Sequence, residues 1–212
     1  MYSDTHLCIQ ARMNSSRLPG KVIMKISDLP LIVYLYKRLQ VEFHELNIVI
    51  LTSTERSDDE LVDVLNEYNI PYFRGDLNNV LLRFYQYQKT ISSDIQFIGR
   101  ICADSPFLDT RIIREVLDNR RLDYDIMTTR YFEKLILKSS VSKGNNFDLL
   151  NRETLLKLHK IKATFSDEDK EHVIFPFLRK KTLSLNLSNL IDLNEDVAID
   201  TLADMERLKT ND

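Results

Sequence analysis

Three short stretches of the 212-residue chain carry residue types at spacings that could handle phosphate chemistry. The first is Gln10-Ala11-Arg12-Met13-Asn14-Ser15-Ser16-Arg17-Leu18-Pro19-Gly20-Lys21. It sets Arg12, Arg17 and Lys21 around a loop that also holds Ser15 and Ser16. Fixed cations and backbone N–H groups directly after a strand suit a triphosphate. The first glycine of GxxxxGK[ST] is missing, so this is not a Walker A loop. No GxGxxG is present either, which removes the common dinucleotide fingerprint. Taken alone, the stretch is equally a solvated basic loop, because clustered Lys and Arg are common on surfaces. In either case Arg17 and Lys21 are expected to be mostly exposed when no ligand is bound.

The second stretch is Gly99-Arg100-Ile101-Cys102-Ala103-Asp104-Ser105-Pro106. Asp104 falls just past a buried strand, where a carboxylate can hold Mg²⁺ against phosphates or simply cap a turn. In the third, Ala198-Ile199-Asp200-Thr201 leads into the last helix, and Asp200 is an N-cap or a metal ligand. Two aspartates with merely local duties have no reason to meet. The metal reading therefore predicts that the carboxylates of Asp104 and Asp200 converge near the 12–21 loop. Because like charges repel, replacing either with Asn is expected to change stability little. Cys8 and Cys102 sit in apolar runs, and neither they nor His6, His44, His159 and His172 have zinc or disulfide spacing.

Positioning these residues requires strands that end beside one another. Apolar runs predict strands near 7–11, 46–52, 70–73, 95–102 and 124–129. Helices are predicted at 31–39, 57–68, 78–90 and 109–119, the second opened by a Ser57/Glu60 capping box. Alternation of strand and helix predicts a parallel sheet with helices on both faces. Ligands then bind beyond the carboxyl ends of the strands, so the loops at 11–21, 52–57, 74–76 and 103–106 share one face. After residue 130 the pattern changes. Extended segments at 132–138 and 147–150 flank Gly144, followed by helices at 152–160 and 167–179, a strand at 183–187 and a helix at 202–208. No linker or repeat interrupts the chain, which reads as one domain.

Lys+Arg 29 against Asp+Glu 32 leaves a net charge of −3, which argues against bulk-charge binding to nucleic acid. No apolar run approaches the ~20 residues of a membrane helix, and no basic segment precedes a hydrophobic one at the N-terminus. The cysteine usage fits a reducing cytoplasm. Only four glycines are present, so each is expected to hold a backbone shape other residues cannot.

Together the motifs resemble one family. IQARMNSSRLPGKV followed by PLIVYLYKRL resembles the opening of the sugar-activating cytidylyltransferases, above all the spore-coat polysaccharide biosynthesis protein F group. The 3-deoxy-manno-octulosonate and acylneuraminate cytidylyltransferases are more distant relatives. The resemblance continues through Leu51-Thr52-Ser53-Thr54, Phe73-Arg74-Gly75-Asp76, Val80 to Tyr85, Arg100 to Asp109, Glu171-His172-Val173 and Ile199 to Glu206. It implies a single GT-A-like α/β domain, the fold of nucleotide-diphospho-sugar transferases: a three-layer sandwich on a mostly parallel sheet with a later β-hairpin. Residues 1–130 would form the nucleotide half, and 131–212 the acceptor and oligomerisation half.

The implied reaction is Mg²⁺-dependent transfer of CMP from CTP to a sugar acid or small phosphorylated acceptor, with a homodimer as the usual assembly. Arg12, Arg17 and Lys21 match the triphosphate loop, with Ala11, Ser15 and Ser16 beside them. Asp104 and Asp200 match the magnesium-binding aspartates. Thr52, Ser53, Thr54, Arg74, Gly75 and Asp76 match the region around cytosine and ribose, and Arg100, Ala103 and Lys143 complete the implied substrate contacts. Two departures stand out. Asp28-Leu29-Pro30 replaces the family's Gly-Lys-Pro, and Ala103 replaces a glycine whose missing β-carbon would leave room for phosphates. A retired nucleotide-binding subunit of the same fold is the alternative reading. A glycosyltransferase using a nucleotide-sugar donor fits the 12–21 loop less well.

Overall fold

Alternation along β1 (Thr5–Gln10) explains the layering. Leu7 and Ile9 belong to one buried cluster, while Cys8 between them belongs to another, so both faces of the strand are covered. The computed structural model describes residues 2–134, 136–160, 165–190 and 195–209. After β1 come the small hairpin β2 (Lys25–Ile26) and β3 (Leu29–Pro30), then α1 (Leu31–Glu42), β4 (Asn47–Ser53), α2 (Asp59–Glu67) and β5 (Tyr72–Gly75). Next are α3 (Val80–Gln88), β6 (Phe97–Cys102), α4 (Thr110–Asp118) and β7 (Ile126–Thr128). A hairpin of β8 (Arg130–Glu133) and β9 (Ile136–Ser139) leads to β10 (Asp148–Asn151). Then follow α5 (Arg152–Lys160), α6 (Asp167–Glu171), α7 (Ile174–Leu178), β11 (Thr182–Ser184) and α8 (Leu202–Lys209).

Seven strands form one sheet in the order β11-β7-β10-β6-β1-β4-β5. All neighbours are parallel except β10, which runs antiparallel between β6 and β7. Helices α1, α2 and α4 pack Leu35, Leu61, Leu65, Ile112 and Val116 on one face. Helices α3, α5 and α7 pack Phe84, Leu155 and Phe177 on the other. The expected α/β sandwich is therefore present, and β1, β4, β5 and β6 deliver the 11–21, 52–57, 74–76 and 103–106 loops to one edge.

Two helical expectations fail for identifiable reasons. The Ser57/Glu60 capping box does not form. A 3-10 turn at Arg56–Asp58 precedes α2, which starts without a side-chain cap. The predicted helix at 167–179 is two helices. Pro176 lacks the N–H that would reach the His172 carbonyl, and Phe175 N bonds that carbonyl instead at 3.0 Å. Helix α6 carries its own capping box, Ser166 with Asp169.

The segment ahead of α8 is docked by a glycine. Gly144 has φ +92°, and a β-carbon there would fall 2.3 Å from the Ala198 nitrogen. Val197 N donates to Lys143 O at 2.8 Å, and Lys143 N donates to the Asp196 carboxylate at 3.0 Å. Gly144→Ala is expected to cost about 1–3 kcal/mol from backbone strain and displacement of 197–198. Urea denaturation measures it, and a variant as stable as wild type would show the contact to be soft.

Candidate active site

The loop after β1 closes on one peptide. The Met13 carbonyl accepts from Ser15 N at 3.0 Å and from Gly20 N at 2.9 Å. Gly20, with φ +73°, turns the chain into the 3-10 turn Lys21–Ile23. Among the described residues no acceptor meets the backbone N–H of Arg12, Asn14, Ser16 or Arg17. Unpaired N–H groups gathered on a loop make an anion-binding concavity. These four residues line a cavity of about 190 Å³ together with Ala11, Ser15, Lys21, Ala103 and Asp104 from the predicted set. Gln10, Val22 and Cys102 complete its wall. Ala103 lies outside the left-handed region, where the non-glycine residues among those described are Ser27, Asn69 and Lys134, so its β-carbon causes no backbone strain.

Lys21 corrects an expectation. It is buried rather than exposed, because its ammonium is held from three sides. Its Nζ donates to Asp104 Oδ2 at 3.1 Å, to Asp200 Oδ1 at 3.1 Å and to the Ile199 carbonyl at 2.7 Å. All three ammonium protons are thereby used. The two aspartates do converge: each oxygen is 3.1 Å from the same nitrogen, so they lie no more than twice that distance apart. Ile199 is fixed below them by packing with Ile26, Leu31 and Met205.

Asp200 collects further cations. Arg17 Nη2 lies 2.9 Å from Oδ1 and Lys143 Nζ 2.5 Å from Oδ2. Burial works to raise the Asp200 carboxyl, but bonds from Lys143 and Lys21 and their charges outweigh it, holding the pKa below the ordinary 3.8. The expectation that removing this carboxylate changes stability little is therefore corrected, since its repulsion with Asp104 is already neutralised. Burial pushes the pKa of the Cys102 thiol up, against the pull of Arg100.

Beyond Arg12 lies a second cavity of about 570 Å³, with Asp76, Asn78, Asn79, Asp167, Lys170 and Glu171 on its walls. Arg12 lines both cavities and pairs with Glu171 at 2.9 Å. Of the second predicted group, Asp76 reaches this cavity, while its Oδ1 accepts from Asn78 N and Asn79 N. The others brace the edge instead. Thr52 and Ser53 are wholly buried, their hydroxyls turned onto Asp58. Thr54 N bonds Gly75 O at 2.9 Å, and Gly75 packs against Arg83. Arg74 donates to Ser53 O, Glu55 O and Asp59. Arg100 stands behind Gln10, bonded to its amide at 3.1 Å and paired with buried Asp148 at 3.1 Å. His172 packs on the Phe175 ring, centroids 5.0 Å apart.

Sequence reasoning missed Asp58, Glu171 and Gln10 as site residues. Glu171 was inside a matched motif, but nothing local announces a partner 159 positions away.

A family model for cytidylyltransferases matches residues 7–209. The chain belongs to the cytidylyltransferase family. Over 145 residues, 68% of the chain, it is 31% identical to an uncharacterized protein of Methanocaldococcus jannaschii, but the match spans only 57% of that relative's length. Over 180 residues, 81% of the chain, it is 29% identical to the spore coat polysaccharide biosynthesis protein SpsF of Bacillus subtilis, spanning 68% of that protein. Among solved structures, a cytidylyltransferase from Leptospira borgpetersenii serovar Hardjo-bovis superposes with a TM-score of 0.82 at 26% identity, over 98% of this chain and 85% of that one. This cytidylyltransferase-family chain has, among its described residues, no helix long and apolar enough to cross a membrane.

Lys21→Ala leaves Asp104 and Asp200 without their shared donor and is expected to lower stability by about 1–3 kcal/mol. Arg17→Ala, at an exposed position, should change it by no more than about 0.5 kcal/mol. Chemical denaturation distinguishes the two, and equal effects would remove Lys21 from its structural role. Asp200→Asn should also destabilise near neutral pH. Because the folded pKa is depressed, the stabilisation is complete above about pH 4 and is lost as pH falls through the folded value. The stability gap to wild type should therefore close in acid, and a pH-independent gap would contradict this.

Proposed function

We propose that the protein transfers CMP from CTP to a sugar acid or a small phosphorylated acceptor, releasing pyrophosphate, in the biosynthesis of a surface polysaccharide or glycan. The observation that carries the reading is the loop of free N–H groups and releasable arginines set against the Asp104–Asp200 pair, in a chain of this family. An acceptor oxygen attacks the α-phosphorus, the bond to the bridging oxygen breaks, and pyrophosphate leaves with its electron pair while a hydroxyl acceptor gives up its proton. Such a step demands charge neutralisation and in-line positioning rather than a protein nucleophile.

The residues present fit Mg²⁺. Two carboxylates supply hard oxygens, and among the described residues Asp104 Oδ1 is engaged only by the Ser105 hydroxyl at 3.4 Å. Bound by Asp104 and Asp200, the metal would supply neutralisation of phosphate charge and a lowered pKa for an acceptor hydroxyl. The N–H groups of Asn14, Ser16 and Arg17 hold phosphate oxygens. Arg12 and Arg17 exchange Glu171 and Asp200 for phosphates. Lys21 keeps both aspartates in place, and the larger cavity beside Asp76 takes the nucleoside.

Residues 131–212 supply the acceptor side and the contact between two copies, for which the β8–β9 hairpin offers exposed Phe132 and Ile136. Cytoplasmic placement belongs to the same reading, as do the absence of a nucleic-acid or membrane partner and a small-molecule acceptor.

Pyrophosphate release with each of the four common NTPs, Mg²⁺ and a panel of sugar acids and phosphates tests the proposal. CTP should be preferred, and at ~100 times its Kd should add ~2.7 kcal/mol to stability. Asp104→Asn should cut turnover by orders of magnitude, and Arg17→Ala should weaken CTP binding by ~1.5–3 kcal/mol. Tight CTP binding without turnover on any acceptor would favour the retired subunit. Equal response to all four nucleotides would remove the cytidylyl assignment.

A further inference from the structure

Asp58 turns its carboxylate away from its own helix. It stands at the N-cap of α2, where an aspartate ordinarily accepts from the first free N–H groups, yet it makes no capping bond. The residue is wholly buried. Its Oδ1 accepts from Met13 N at 2.8 Å. Its Oδ2 accepts from Thr52 Oγ1 at 3.0 Å, from Ser53 N at 3.0 Å and from the Ser53 hydroxyl. All four partners are neutral donors. Burying a carboxylate costs several kcal/mol unless its hydrogen bonds are good; here four bonds and the charge of the buried Arg83 guanidinium offset that cost.

What the carboxylate joins is specific. Met13 is the residue on which the anion loop closes, since its carbonyl takes both Ser15 N and Gly20 N. Thr52 and Ser53 are the last residues of β4. One buried carboxylate thus ties the closure point of the loop to the end of the strand next to the sheet's edge. We infer that Asp58 is the positioning residue of the nucleotide site: by drawing the Met13 N–H inward, it sets the free N–H groups of Asn14, Ser16 and Arg17 toward the phosphates. This rests on the nucleotide-binding reading proposed above.

An amide cannot replace this carboxylate. The hydroxyls of Thr52 and Ser53 can rotate to accept, but the backbone N–H groups of Met13 and Ser53 can only donate. With three donors on one side, Asn at position 58 keeps its oxygen toward β4 and turns its NH₂ against the Met13 N–H. The strand stays held and the loop is released.

The test uses the full chain, wild type and Asp58→Asn, with CTP as the probe. Amide hydrogen exchange without ligand is measured first. In the wild type the Met13 amide should be slow, and those of Asn14, Ser16 and Arg17 fast until CTP protects them. In Asp58→Asn, exchange over 13–20 should rise at least 10-fold while β4 stays protected. Calorimetry should show CTP bound 10- to 100-fold more weakly, and steady-state kinetics should show the loss mainly in KM for CTP, with kcat reduced less. A merely structural Asp58 would lower stability and leave the affinity of the folded protein unchanged. CTP binding within twofold of wild type overturns the inference and leaves the proposed function standing. A wild type that binds no nucleoside triphosphate overturns both. If Asp58→Asn does not fold, the wild-type exchange pattern decides, and a fast Met13 amide overturns the inference.

Discussion

The ammonium of Lys21 is the interaction on which the site depends. It bonds the end of β6 through Asp104 and the segment before α8 through Ile199 and Asp200, joining positions 83, 178 and 179 residues away. Two carboxylates at one site repel unless a cation lies between them. Here the cation is supplied by the chain itself, from the turn that ends the anion loop. The convergence therefore exists before any ligand arrives, and the loop, strand end and C-terminal segment are fixed relative to one another. Hydrophobic packing alone would not set that geometry, because the small cluster around Ile199 and Met205 is non-directional.

Other buried polar groups brace the same edge of the sheet. Arg83 is fully buried and donates to the carbonyls of Leu51, Asp76 and Leu77, tying β4 to the turn after β5. Burial, the dominant cause, pushes its pKa down to about 10, yet it stays charged at neutral pH. Arg100 and Asp148 form a buried pair between β6 and β10, with Thr128 of β7 bonded to the same carboxylate at 2.6 Å. Removing one member of such a pair is costly, whereas an apolar replacement of both can be neutral. Thr128 ends β7 and Asp148 begins β10, so the group braces the edge of the sheet from which the loops emerge.

The fold was legible because its signal is local and repeated. Continuous apolar runs flanked by amphipathic helices specify a doubly covered parallel sheet, and β1, β4 and β6 fall where those runs lie. The 12–21 loop and the two aspartates were legible from residue type and family pattern. Burial was not. Lys21 reads as a surface cation because nothing within ten residues shows that two carboxylates and a carbonyl will surround it. Asp58 was hidden by a capping-box pattern that fitted Ser57 and Glu60 better than the structure does. Thr52 and Ser53 were read as ligand contacts, but their hydroxyls are spent on that same hidden carboxylate. Each miss involves a polar side chain whose partner is set by tertiary contact rather than by spacing.

Magnitudes separate the cations of the site into two kinds. The Arg12–Glu171 pair is 35% and 49% exposed, and Arg17 and Lys143 are 59% and 54% exposed where they meet Asp200. The Arg12–Glu171 pair, open to water on both sides, is worth about 0–1 kcal/mol, so a polyphosphate that offers stronger, bidentate contacts could take Arg12 over at little cost. Arg17 and Lys143, by contrast, end on an Asp200 carboxylate that is only 5% exposed. Lys21, at 8%, has no such freedom, because moving it would strand two carboxylates and a buried carbonyl. On the proposed reading, the carboxylates of Glu171 and Asp200 stand where phosphate anions would bind. If Arg17 and Lys143 turned toward phosphate as the proposed reading has it, Asp200 would lose two of its three counter-ions. On the proposed reading the site would then carry carboxylate charge for a divalent cation to neutralise.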